Sequence, residues 1–217
     1  MASIPYQRRF RMRRAFTLVE MLAVIVVIGL LATVGLGLFQ NKGRARRAAV
    51  DAVAGMVDQA RNTAIRTRRN VALVIAGPAQ VPDLGGEALC RLGLFELEAP
   101  PDANGAVRGR LLERWRPLPM GIVAMGGQVD GVRNVLDDGF LMLRYESGGK
   151  EVETAVTGLV FTPRGGLGWP KGSDPVAIRL VEGAYIEGKP TRTRRDGGTD
   201  EIIRVGRVVA RPWRTGS

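Results

Sequence analysis

The chain has 217 residues, 32 Lys and Arg against 21 Asp and Glu, a formal charge of +11, no histidine and one cysteine. Without histidine a Ser-His-Asp triad is excluded, and the commonest proton shuttle and zinc ligand are missing. A single cysteine, Cys90, excludes an internal disulfide framework and any CxxC pair; it reads as a small buried hydrophobe, the alternative being a bond between two molecules. The basic excess suits a surface of anionic lipid or nucleic acid and selects neither.

Residues 1–15 form a short basic leader, with Arg8, Arg9, Arg11, Arg13 and Arg14 in "RRFRMRR". An apolar run follows, residues 16–39, "FTLVEMLAVIVVIGLLATVGLGLF". As a helix at about 1.5 Å per residue it reaches roughly 36 Å, enough for a hydrocarbon core of about 30 Å. The run is too long for a cleaved secretory signal, and no A-x-A site follows it. A plain signal anchor leaves Glu20 unexplained, since an ionised acid in lipid costs about 2.5 kcal/mol or more and "AFTLVEML" contains no cation. After the span, Lys42, Arg44, Arg46 and Arg47 nearly balance the leader's arginines, so the positive-inside rule does not set the orientation.

"RRAFTLVEMLAVIVVIGLLA" resembles the class III signal of type IV pilins and type II secretion pseudopilins. The resemblance implies that a prepilin peptidase cuts between Ala15 and Phe16 and methylates the new amine of Phe16. Ala15 stands where the family usually has glycine. It also implies that Glu20, the fifth residue after the cut, serves filament assembly by facing the Phe16 amine of a neighbouring subunit. The expected location is the bacterial inner membrane, single-pass, with the C-terminal domain periplasmic and able to be drawn into a filament.

Beyond the span, Ala49, Val53, Met56, Ala60 and Ala64 recur at helical spacing, which predicts an amphipathic continuation over residues 40–68, with Gly43 as the place for a kink. "GRARR" reads as a solvated juxtamembrane face. Residues 69–217 then read as a β-rich domain. "NVALVIA", "RLGLFELE", "RLLERWRP", "FLMLRYES", "GLVFTPRG", "DPVAIRLV" and "EIIRVGRVVA" supply strands, with Asn104-Gly105 as a hairpin turn and "GGQVDGVRNVLDDG" as a polar loop. The fold class expected is α+β: a long N-terminal helix, transmembrane in its first half and amphipathic in its second, packed on a mostly antiparallel β domain.

"DQARNTAIRTRRNVALVI" and "TGLVFTPRGGLG…VAIRL…EIIRVGRVV" resemble the H-type minor pseudopilins (GspH) and FimT-like minor pilins. That resemblance implies a minor subunit that starts or caps a short periplasmic pseudopilus for protein export. Its partners would be other pseudopilins or pilins through the N-terminal helix, the prepilin peptidase and an inner-membrane assembly platform. No catalytic site, cofactor or metal is expected. Asp83, Asp137 and Asp138 lack the spacing of a calcium loop, and "GGLGWPKGS" lacks a phosphate-loop ending. The alternative is a minor type IV pilin that binds DNA through its tail. From residue 189 that tail has eight basic residues against three acidic ones. Arg192, Arg194 and Arg195 form one cluster, and Arg211 and Arg214 flank Trp213 as a stacking ring.

Overall fold

A computed structural model describes residues 18–81, 89–193 and 200–215, with residues 29–42 and 215 by backbone alone. The chain divides into two units, residues 1–42 and 43–217. Helix α1 spans Leu18–Thr67. In the first unit the side chains from Leu18 to Ile28 are exposed. Among the described residues no helix is long and apolar enough to cross a membrane; of the expected span, 16–39, residues 16 and 17 lie outside the description and 29–39 are described by backbone alone.

The second unit is built of strands. In chain order they are β1 Val71–Ala76, β2 Arg91–Leu97, β3 Ala106–Leu111, β4 Arg116–Pro117, β5 Ile122–Ala124, β6 Arg133–Asn134, β7 Phe140–Ser147, β8 Lys150–Phe161, β9 Leu167–Trp169, β10 Val176–Ile186, β11 Lys189–Arg192, β12 Glu201–Val205 and β13 Pro212–Thr215. A single turn of helix, α2 (Val135–Asp138), is capped by the Asn134 side chain, which accepts from the Leu136 amide.

Five strands close into a barrel in the order β1-β2-β3-β7-β8, because β8 pairs back onto β1. The closing seam is a parallel pairing of β3 with β7, Val107 opposite Leu143. Strand alternation fills the barrel from one face of each strand. Ala72, Val74, Phe95, Leu97, Val107, Leu141, Leu143, Tyr145, Val156 and Val160 form this inner core. Phe95 stands edge-on to Tyr145 at 5.2 Å and to Trp115 at 5.5 Å. Gly93 makes room for the indole, since a methyl group there would lie 2.7 Å from a ring carbon of Trp115.

The opposite faces of β1, β2 and β8 build a second core. It joins Leu73, Ile75, Leu92, Leu94, Leu159 and Phe161 to Val53, Met56, Val57 and Ala60 of α1, and to Ile178, Leu180, Ile203 and Val205 of a second sheet. Covered on both sides, β1 is buried at every position, which is why "VALVIA" is apolar throughout rather than alternating. In the second sheet β10 is central. It pairs with β5 and β6 along one edge and with β11 and β12 along the other, and β13 extends β12.

This architecture corrects the expected α+β class. The chain is mostly β and centred on a barrel. Only the 43–67 part of α1 belongs to the β unit, inside a core shared by two sheets. Periodicity detects strands one at a time, whereas barrel closure depends on pairing between strands far apart in sequence. Local corrections follow the same pattern. The hairpin turn does fall at Asn104-Gly105, where the Asp102 carboxylate accepts from the amides of Asn104 and Ala106 at 2.8 Å each and Gly105 takes φ +81°. However, the returning strand is "AVRGRL", and only Arg116 and Pro117 of "RLLERWRP" extend as a strand of their own. The polar loop contains β6 and α2, and "EIIRVGRVVA" stops being a strand at Val205.

Candidate functional site

Two regions were singled out by sequence, the N-terminal motif and the basic tail. Ala15 and Phe16 lie outside the described residues. Glu20 stands in the first described turn of α1 and is exposed.

The tail is organised by two adjacent acids. Strands β11 and β12 run in the same direction along one edge of β10, with Gly183 opposite Arg192 and Leu180 opposite Glu201. Asp200 and Glu201 thus lie on the same edge of β10 as Arg192. Asp200 accepts from Arg179 (2.7 Å) and from Arg192. Glu201, buried, takes a two-pronged bond from Arg214 at 2.7 and 2.8 Å and lies 3.9 Å from Arg46 of α1. Arg46 is also 4.0 Å from Glu182. It therefore turns inward from "GRARR", which was read as a solvated face.

Of the five tail arginines, Arg192 and Arg214 are committed to carboxylates, Arg211 is exposed, and Arg194 and Arg195 lie outside the described residues. The Asp200-Glu201 junction was missed by sequence reasoning. Its only signal was an acidic pair opening an apolar strand. Glu201→Gln should destabilise the domain by roughly 1.5–3 kcal/mol, the usual worth of charge-assisted hydrogen bonds. Chemical denaturation would measure it, and a loss below about 0.5 kcal/mol would show that the pairs are not coupled to folding.

The other candidate groups have structural surroundings. Asp137 accepts from the Gly127 amide at 2.8 Å, and Asp138 lies 3.5 Å from Arg133. Asp83 is outside the described residues. Among the described residues no cluster of His, Cys, Asp or Glu is arranged to hold a metal. Cys90 is fully buried and hydrogen-bonded with Tyr185. Burial pushes its thiol pKa up, and burial followed by the neighbouring thiol pushes up that of Tyr185.

Residues 10–36 match the family model of the prokaryotic N-terminal methylation motif. No curated protein and no solved structure matches the chain. The motif supports prepilin-type processing and a type IV pilin-like or pseudopilin protein in the general sense.

Proposed function

We propose that the protein is a minor pseudopilin of a type II secretion-type pseudopilus, an H-type subunit that helps to start or cap a periplasmic filament. The carrying observation is the methylation motif at residues 10–36, placed directly ahead of a separate β unit. Two features support the reading. The exposed apolar side chains from Leu18 to Ile28 need a lipid or protein partner, and Glu20 sits where the family's assembly acid would sit. In this reading residues 16–39 cross the inner membrane, the β unit is periplasmic, and the partners are other pseudopilins, the prepilin peptidase and the assembly platform. The protein is a substrate of that peptidase rather than an enzyme. DNA capture is the weaker alternative, because Arg192 and Arg214 are already paired with carboxylates.

Processing is the direct test. Co-expression with a prepilin peptidase should remove residues 1–15 and leave N-methylated Phe16, which intact-mass analysis resolves. An uncut chain, or a cut after residue 30, would reject the assignment.

A further inference from the structure

The loop between β12 and β13, residues 206–211, "GRVVAR", carries two aliphatic side chains into solvent, Val208 at 85% exposed and Val209 at 51%. The loop is fixed in place. The Gly206 amide donates to Arg211 O across its base, and the Leu167 amide donates to Arg207 O at 2.8 Å. From α1, Arg61 Nε donates to Val209 O at 2.6 Å and to Gly165 O at 3.3 Å. Ala210 is buried and takes φ +48°, a conformation disfavoured for any residue with a Cβ. Ile65 of α1, which a methyl group on Gly165 would meet at 2.9 Å, is a third exposed aliphatic beside this tip. Arg164 and Arg211 flank it, both exposed, and neither side chain is engaged by another described residue.

Arg61 and Ile65 are the residues of α1 nearest the tip. At about 100° per residue, Gly55, Gln59 and Asn62 stand roughly a third of a turn away around the helix. They line a groove of about 760 Å³ between α1 and the barrel, to which Leu94 and Leu112 add apolar lining. A methyl group on Gly55 would meet nothing within 4 Å, so the groove is open there. Glu96 and Glu113 in its wall already hold Arg110 at 3.7 Å and Arg116 at 2.6 Å, and Arg66 lines its C-terminal end. Asp58 at the rim, and Asp51 about two turns earlier, are exposed and engaged by no described residue. Outward aliphatics between unengaged cations thus match an open, partly apolar groove beside unengaged acids. The two surfaces flank different sides of one helix, so a chain cannot place its own tip in its own groove.

We propose that the 206–211 tip of one copy docks in the groove at residues 55–62 of a second copy. The contact is heterologous: each docked copy still offers a free tip or a free groove, and copies add head to tail. Three aliphatic side chains bury well under the roughly 1,000 Å² of a free-standing interface, so the contact is weak by itself and forms where copies are already held at high local concentration. It lies wholly within residues 43–217, and it adds to the pseudopilin reading without resting on cleavage before Phe16.

The test is disulfide trapping of the full chain in detergent. Gly55→Cys puts a thiol in the groove without a clash, Val208→Cys puts one on the tip, and native Cys90 is buried. Chains carrying both substitutions should form, under mild oxidation, a ladder of dimers, trimers and higher species on a non-reducing gel. A mixture of the two single variants should stop at dimer, and either single variant alone should give about tenfold less. Val209→Glu added to the double variant should cut the ladder about tenfold, the worth of one buried aliphatic side chain in association, while a melt equal to its parent's shows that it folds. A double variant that stays monomeric overturns the proposal, as does a ladder that Val209→Glu leaves intact or dimer from a single variant at the yield of the mixture. A tip thiol shielded from a maleimide only by phosphatidylglycerol vesicles assigns the tip to an anionic lipid surface and also overturns docking between copies.

Discussion

Phe95→Ala should cost the β unit about 3–5 kcal/mol, the usual loss for a buried phenylalanine. Phe95 is fully buried inside the barrel, and its ring is the shared partner of Tyr145 and Trp115. Truncation opens a void that those two rings cannot both enter, because Tyr145 is held on β7 and Trp115 lies against Gly93. Domains are stable by only about 5–15 kcal/mol, so the variant should melt far below wild type or fail to accumulate folded. A loss under about 1 kcal/mol would mean that the barrel interior is not close-packed. Ile65→Ala, on the exposed side of α1, is the matched control and should change stability little.

Glu20→Ala should leave membrane insertion and removal of residues 1–15 intact, yet abolish entry into filaments. Under the proposed function, Glu20 of one subunit faces the methylated Phe16 amine of the next. Breaking a desolvated pair by removing one partner costs about 3–5 kcal/mol, which is two or more orders of magnitude in an association constant. Glu20→Asp keeps the charge on a shorter reach and should fall between the two. Filament fractions from cells expressing each variant would show this by immunoblot. Wild-type incorporation of Glu20→Ala would separate that residue from assembly while leaving the processing assignment untouched.

These two predictions rest on different kinds of information. The motif at residues 10–36 is contiguous, so it was legible in the sequence without any fold. The apolar stripe Ala49, Val53, Met56, Ala60 and Ala64 was equally legible, and all five residues are buried. So were the strands at 71–76, 91–97 and 140–147, because hydrophobic spacing repeats over a few residues.

Barrel closure was not legible. It depends on a parallel seam between Ala106–Arg108 and Met142–Arg144 and on the return of β8 to β1, and no local pattern encodes which distant strand is a neighbour. Charge followed the same division. By sequence the tail is a run of cations; folding places Asp200 and Glu201 among Arg46, Arg179, Arg192 and Arg214. The sequence by itself determined the N-terminal motif, the apolar faces and most strands, since each is a property of neighbouring residues. Which charges are neutralised, which stay unsatisfied and which strands meet was decided by the tertiary structure alone, because Coulomb and packing energies depend on separation in space rather than along the chain.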